Sequence, residues 1–437
     1  MHLLRGALLL LCGFTAWAGP REFGLQGYEA AVRARGLKPE RYRIQAMLDS
    51  GAPGSFKIRG RSVLGGDLRR LMYGLLEAAG QIRENGRLRE TAAEPAFAVR
   101  AVRVAREALP SGEALRLMLE VLATARFNTL IVLPGPPAEL REAAAGYGLK
   151  LAGADGLVGL YPVTLPLEEL AAPWADPVSA RRILAQADWE GSAGIVVPAR
   201  LPAPEHELFY AVWGLEGYAP GAPPKRWPAM LRGQFGTAAE RAWEALTLAS
   251  RCLTFLPPEQ FLLGPAMAVR SPATARYSPL QLAAAWQALA RQAEAALDPF
   301  RASLGAVQPL IAYGRARASE MLAGGPAAGG WTRSALPEPV AFTHLPPKGA
   351  VAGRPVTLRL GLPARARAER VRLHWRDARG THAMESRGAR ASFTLIPEGE
   401  VRYYFEVVSP SGSGWFYPDP LAGSPYLRLN VRPAPHP

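Results

Sequence analysis

The alternation of hydrophobic and polar residues changes character along the chain, and each change predicts a different kind of structure. Two alternating segments, 42–48 and 55–59, flank a turn rich in Gly and Pro, which predicts a hairpin of two strands. An apolar stripe then recurs at helical spacing over 68–83, and Asp67 stands at the expected N-cap of that helix. We therefore predict a small α+β domain over residues 20–93.

Between residues 94 and 204, apolar strands alternate with amphipathic helices. The clearest strands are the continuous apolar runs 128–133 and 194–197, which are typical of strands buried in a parallel sheet. This pattern predicts a barrel-like β/α layer. A complete eight-fold barrel takes roughly 250 residues, so the segment predicts a truncated TIM barrel.

Residues 205–323 read as a helical domain. Its large aromatic residues recur at helical spacing, so we expect them to be core anchors rather than platforms for a sugar. These residues are Trp213, Trp227, Trp243 and Trp286. Cys252 lies in an apolar helical segment and is expected to be a buried small hydrophobe.

A Gly-, Ala- and Pro-containing linker at 324–335 separates the helices from a β-rich segment. Over 336–433, short alternating strands with turn residues between them predict an immunoglobulin-like β-sandwich domain. Within 401–408 the alternation predicts one buried face and one water-facing face, the latter formed by Arg402, Tyr404 and Glu406. The predicted fold class is therefore multidomain α+β.

The first eighteen residues have the pattern of an export signal. Arg5 precedes the apolar stretch 6–14, and Ala16, Trp17 and Ala18 form the small-x-small pattern that signal peptidase cleaves. The apolar stretch is too short for a permanent membrane span. We therefore expect 1–18 to be a signal peptide. The mature protein is expected in the periplasm or outside the cell, without stable membrane insertion.

Composition narrows the choice of partners. The formal charge is +14 at pH 7, and the basic residues are mostly scattered arginines, as is typical of solvated faces. Such a charge favours long-range attraction to anionic surfaces or acidic polysaccharides. Nucleic acid is not expected, because the chain shows no recognisable nucleic-acid module. Removing the signal leaves Cys252 as the only cysteine, which excludes an intramolecular disulfide.

Several segments resemble secreted bacterial proteins related to glycoside hydrolases. Tyr-Arg-Ile at 42–44, the Gly-Gly-Asp-Leu that opens 65–79, and Pro-Ala-Phe-Ala-Val-Arg at 95–100 resemble the domain preceding the barrel in family-20 hexosaminidases and α-glucuronidases. Residues 125–130 resemble the end of the first barrel helix and the strand after it. Residues 209–220 are similar to the join between barrel and helical domain. The resemblance implies a glycan partner, and none of these segments is catalytic.

A glycosidase needs two carboxylates held at a fixed separation. No Asp-Glu pair of the hexosaminidase type follows a predicted strand. Asp155 and Glu205 stand at the carboxyl ends of predicted strands, where barrel enzymes carry their chemistry, so they are the candidate catalytic pair. Acidic residues at such positions are more often turn or cap residues than catalytic ones. The histidines lack metal-ligand spacing, and no metal or cofactor is predicted.

Three functions remain open on the sequence. The first is a degenerate, non-catalytic relative of glycoside hydrolases that binds a glycan or a protein partner. The alternative is an active hydrolase, similar to hexosaminidases or α-glucuronidases, that uses the carboxylate pair. The third is a purely structural envelope protein. We expect the first, because missing barrel strands would remove the scaffold that positions both acids.

Overall fold

The computed structural model describes residues 19–51, 54–165, 172–254, 275–276, 279–323, 340–387, 391–410, 414–418 and 426–434. The predicted signal peptide 1–18 and the predicted linker 324–335 lie outside these described residues. The described chain divides into two compact units. The first contains the described residues up to 187 together with 191–250 and 296–307, and the second contains those of 188–190, 251–295 and 308–437.

The α-helices of the described residues all lie before residue 324. In chain order they are α1 (Pro20–Ala34), α2 (Leu68–Asn85), α3 (Gly112–Thr124), α4 (Leu140–Gly146), α5 (Pro177–Trp189), α6 (Glu207–Tyr218), α7 (Arg226–Phe235), α8 (Ala239–Thr254), α9 (Pro279–Leu297), α10 (Arg301–Leu304) and α11 (Gln308–Ala323). None of them combines the length and the apolar character needed to cross a membrane.

The described strands follow the same order. They are β1 (Gln45–Leu48), β2 (Phe56–Arg59), β3 (Ser62–Gly65), β4 (Thr91–Ala93), β5 (Val99–Ala105), β6 (Thr129–Leu133), β7 (Lys150–Ala152), β8 (Leu160–Pro162), β9 (Gly194–Pro198), β10 (Ala275–Arg276), β11 (Ala350–Val351), β12 (Val356–Leu360), β13 (Arg370–Asp377), β14 (Gly380–Arg387), β15 (Ala391–Leu395), β16 (Val401–Val408), β17 (Gly414–Tyr417), β18 (Leu427–Leu429) and β19 (Val431–Arg432).

The first unit begins with a four-stranded sheet of order β1-β3-β2-β4, against which α2 packs. The predicted helix is confirmed as α2, and the Asp67 side chain accepts a hydrogen bond from the Arg70 N–H at 2.8 Å. The predicted hairpin is wrong. β1 pairs in parallel with β3, whereas β2 pairs antiparallel with β3 and with β4. Gly60, with a φ of +56°, makes the tight turn that returns the chain from β2 into β3.

A five-stranded parallel sheet of order β7-β6-β5-β9-β8 follows in the same unit. The predicted apolar runs are confirmed as β6 and β9. The three connections β5 to β6, β6 to β7 and β8 to β9 all move in one direction across the sheet. Because such crossovers are right-handed, α3, α4 and α5 lie on one face of the sheet.

The two faces of the parallel sheet are covered to different degrees. On the helix-covered face, the side chains of the three central strands are fully enclosed. They are Val102, Val104, Leu130, Val132, Ile195 and Val197. On the opposite face Ala101, Ile131 and Val196 form a small core, but the side chains around it stay partly exposed, namely Val99, Leu133, Ala152, Leu157 and Leu160. We call this second side the open face.

The helical region is anchored by aromatic side chains, as predicted. Trp213, Trp227 and Trp286 are buried. Trp243 is half-buried and stacks on Trp227, with ring centroids 5.7 Å apart. Cys252 is fully buried, as expected of a small hydrophobe, and burial raises the pKa of its thiol to about 12.

In the second unit, antiparallel strands form a sheet of order β10-β17-β16-β13-β14, with β18 also pairing with β16. A second antiparallel pair, β12-β15, shares one hydrophobic core with that sheet. The predicted water-facing side of β16 is wrong for Tyr404 and Glu406, which are only 6% and 7% exposed. β16 is central in its sheet. His374 stacks on Tyr404 at 4.6 Å between centroids, and its Nε2 lies 3.0 Å from a Glu406 carboxylate oxygen.

Candidate functional site

The five strands of the parallel sheet end at one edge, which we call the carboxyl edge. Backbone hydrogen bonds fix its loops. The Ala199 N–H donates to the Arg103 carbonyl at 2.8 Å, and the Val163 N–H donates to the Val196 carbonyl at 2.9 Å. Ligands of parallel β/α sheets bind outside this edge. The carboxyl edge is therefore the place to look for chemistry in the first unit.

Both predicted acids lie at the carboxyl edge. Asp155 is in the 3-10 turn Ala154–Leu157 that follows β7, and Glu205 is in the turn Ala203–His206 that follows β9. Both side chains are exposed, and neither has a hydrogen bond or ion pair to another described residue. β6 and β5 lie between β7 and β9. The strands that precede Asp155 and Glu205, β7 and β9, are thus three strand spacings apart, about 14 Å. The two carboxyl groups of a glycosidase lie roughly 5–10 Å apart.

The loop after β9 is held by buried polar groups. The Arg200 guanidinium donates to the Ala172 carbonyl at 3.1 Å, and its backbone N–H donates to the Tyr210 hydroxyl at 2.6 Å. Burial lowers the pKa of Arg200. Burial and the charge of Arg200 also lower the pKa of His206 to about 4, so that imidazole is neutral at ordinary pH. Arg200 and Tyr210 therefore stabilise the loop. The described contacts of these residues and of His206 do not include Asp155 or Glu205.

The structure adds one residue that the sequence reasoning missed, Arg103. It lies near the carboxyl end of the central strand β5, on the open face with Ala101. Its side chain is exposed and has no hydrogen-bond or ion-pair partner among the described residues. Its neighbours in register are Ile131 and Pro198, so the guanidinium stands at the rim of an apolar floor.

A second arginine of the same strand shows why strand parity matters. Arg100 falls on the helix-covered face and is 1% exposed. Its guanidinium donates to the carbonyls of Phe97 and Arg126 at 2.6 and 2.8 Å and lies over the Tyr218 ring. Arg100 is therefore structural, whereas Arg103 is available to a ligand. The sequence could have shown this difference, because Arg100 and Arg103 are three residues apart, and residues at that spacing on a strand lie on opposite faces of the sheet.

The described side chains of this edge include a group suited to recognising an anion. A guanidinium pairs with a carboxylate through two parallel hydrogen bonds, and the partly exposed floor beside Arg103 can pack against an apolar ring face. Within the described ranges, no group of three or more side chains is arranged to hold a metal ion. An anionic ligand with apolar faces fits the described side chains best.

Comparison with known proteins gives few matches. No protein-family model matches the sequence, and no curated protein matches it. Among solved structures, the chain is similar to one described as a GH138 enzyme targeting pectin rhamnogalacturonan II. The TM-score is 0.47 at 11% sequence identity, over 71% of this chain and 85% of that chain. At this level the likeness concerns the path of the chain, and no activity is carried over from it.

Proposed function

We propose that this chain is an exported glycan-binding protein built on a degenerate glycoside-hydrolase scaffold, and that it does not hydrolyse glycosides. The observation that carries the proposal is the order of the parallel strands. In order of appearance they lie third, second, first, fifth and fourth across the sheet. In a closed β/α barrel the last strand returns beside the first, and every crossover runs in one direction. The observed order supports a scaffold derived from a barrel without its middle strands.

Loss of those strands explains why catalysis is not expected. A glycosidase must hold one protonated and one ionised carboxyl group across the scissile bond. Here the remaining candidates, Asp155 and Glu205, are exposed, have no described hydrogen-bond partner, and follow strands about three spacings apart. Catalytic groups need neighbouring residues to fix their orientation. That support is missing for both acids among the described residues.

Binding needs less of the scaffold than catalysis. Arg103 and the apolar floor of the open face remain in place on the best-supported strand of the sheet, β5. The sequence resemblance to glycoside hydrolases favours a sugar as the ligand. The net charge of +14 favours an acidic one. In the same proposal the protein acts in the periplasm or outside the cell, and its C-terminal sheets form an immunoglobulin-like domain.

The test combines turnover with binding. Purified protein is offered a panel of aryl glycosides and glucuronides, and the retention of acidic and neutral glycans is measured in parallel. We expect binding without turnover, and Arg103→Gln is expected to weaken binding of an acidic glycan by about tenfold, the loss of one charge-assisted contact. The exposed Arg141, on α4, supplies the matched control Arg141→Gln. Turnover that disappears in Asp155→Asn or Glu205→Gln would instead establish the active hydrolase.

A further inference from the structure

The outer face of the C-terminal sheet is built from rungs, each formed by residues directly opposite one another on adjacent strands. On β13 the side chains facing away from the core are those of Arg370, Arg372, His374 and Arg376. In two of these rungs, arginines lie directly opposite one another. Arg376 lies opposite Arg402 on β16, which lies opposite Arg428 on β18. At the other end of β13, Arg370 lies opposite Arg387 on the edge strand β14.

The three-arginine rung is neutralised within the second unit. The Asp188 carboxylate pairs with Arg428 at 2.8 Å and with Arg402 at 3.5 Å, and Glu400 pairs with both arginines. Carbonyl oxygens supply further acceptors, since Arg402 donates to that of Asp188 and Arg376 donates to that of Glu190 at 2.9 Å. Like charges on adjacent strands are therefore stabilised where the protein supplies acceptors.

The two-arginine rung has no ion pair of its own, although the charges of Arg370 and Arg387 both help to lower the pKa of Glu385, after the larger effect of Arg372. Neither Arg370 nor Arg387 makes an ion pair or side-chain hydrogen bond with a described residue, and the Nε of Arg370 is buried without an acceptor. Like charges directly opposite each other destabilise a sheet, and a buried N–H without an acceptor costs free energy. In the next rung, Arg372 and Glu385 pair with each other at 2.7 Å. Glu385 is thus engaged by the arginine of its own rung.

We propose that the Arg370–Arg387 rung is a binding surface for a polysaccharide that carries carboxylate groups, such as a polyuronate chain. A planar guanidinium group binds a carboxylate in a bidentate geometry, through two parallel N–H···O hydrogen bonds. Opposite side chains on adjacent strands begin about 5 Å apart, so Arg370 and Arg387 can meet neighbouring carboxylates of one chain. This pair of guanidinium groups suits a polymer with repeated carboxylates, which can supply acceptors to Arg387 and to the terminal nitrogens of Arg370. The inference rests on the proposed function and names its substrate class.

The experiment uses the full chain and polygalacturonic acid, with its fully methyl-esterified form as the uncharged comparison. The variant R370Q/R387Q is compared with R354Q/R359Q, which removes the same charge from two other exposed positions, one beside β12 and one on it. We expect wild-type protein to bind the acid but not the ester. Loss of the rung should weaken that binding by more than about tenfold, and the control pair should change it less than threefold. Because repulsion is removed, the free R370Q/R387Q variant should melt no lower than wild type.

Three results would overturn the inference. They are unchanged binding by R370Q/R387Q, equal weakening by both pairs, and equal binding of the ester. If R370Q/R387Q does not fold, Arg387→Gln alone carries the same test, since Arg387 is exposed on an edge strand. Binding that depends on Arg103 but not on this rung would leave the proposed function standing without the inference. Wild-type protein that retains no glycan at all would remove both.

Discussion

At the scale of single residues, the first unit is marked by buried charges that compensate one another. Glu77 on α2 pairs with Arg126 and, at 2.7 Å, with Arg226, which also reaches Glu84 at 2.6 Å. All four side chains are less than a tenth exposed. Burial opposes ionisation of Glu77, but the two guanidinium groups outweigh it and hold the pKa of that carboxyl well below its usual range.

Glu77→Gln is therefore expected to destabilise the protein by about 3–5 kcal/mol, because Arg226 keeps its pair with Glu84 but Arg126 is left with an uncompensated buried charge. Denaturant unfolding at pH 7 measures the effect. Since the folded-state pKa is depressed, this stabilisation is present at neutral pH and is lost as the pH falls below the usual carboxyl range. The control is Glu113→Gln, because Glu113 pairs with Arg116 at an exposed site where a change below about 1 kcal/mol is expected.

Glu216 on α6 shows the opposite behaviour. It is fully buried, and one of its oxygens accepts the Gly221 N–H at 2.7 Å while the other has no described partner. Burial raises the pKa of Glu216 to about 7, although the charge of Arg181 opposes the shift. As the pH rises, the unfolded chain releases this proton before the folded chain does. Stability should therefore fall between about pH 4.5 and pH 7.

Glu216→Gln should remove that fall, because the amide keeps the acceptor for Gly221 and cannot ionise. At pH 8 the variant is expected to be more stable than wild type by up to about 3 kcal/mol. At pH 4 the two should be nearly equal. Urea unfolding at both pH values measures the difference. A variant that is less stable than wild type at pH 8 would show that the ionised carboxylate is stabilising.

At the scale of secondary-structure elements, one glycine sets how closely the helices of the second unit approach. The Trp286 Nε1–H on α9 donates to the Cys252 carbonyl at 2.7 Å. A Cβ on Gly314 of α11 would lie 2.7 Å from that Nε1 and 2.8 Å from that carbonyl oxygen. Nothing larger than glycine fits this crossing without displacement of the other helices.

Gly314→Ala is therefore expected to destabilise the protein by about 1–3 kcal/mol, the usual range for overpacking a core. This is despite the higher helix propensity of alanine. Gly305 provides the control, since a Cβ there would meet no atom within 4 Å and its φ is −55°. Gly305→Ala should be neutral or slightly stabilising. Thermal unfolding of both variants separates steric overlap from propensity, and equal effects would contradict the predicted clash.

Periodicity predicted elements best where one face is buried. The continuous apolar runs became β6 and β9, and the stripe after Asp67 became α2. Pairing was harder to predict, since β3 inserts between β1 and β2 through contacts that no local pattern encodes. β14 is an edge strand with few apolar residues, so its sequence carries little hydrophobic alternation. At the candidate site the acids were predictable from strand ends, but Arg103 needed the parity of β5 to distinguish it from Arg100.

At the scale of the whole molecule, the prediction that can be tested first is export. Residues 1–18 carry the signal pattern, so the mature chain should begin at Gly19. N-terminal sequencing of protein recovered from the periplasm or medium measures this directly. Protein recovered there with Met1 intact would contradict the prediction. The control is a variant with Ala16 and Ala18 replaced by bulky residues, which should remain uncleaved.

The neutralised rung of Arg376, Arg402 and Arg428 also has a consequence for expressing the C-terminal strands as a separate fragment. A C-terminal fragment that starts at residue 336 would keep Arg376, Arg402 and Arg428 but leave behind Asp188, which precedes Arg402 by 214 positions. Glu400 would then be the only acid of that set to remain. Such a fragment should need high ionic strength to stay folded, because dissolved anions would have to replace the missing carboxylate. A cloning boundary at 336 would thus cut through an electrostatic unit while sparing every strand from β11 onward.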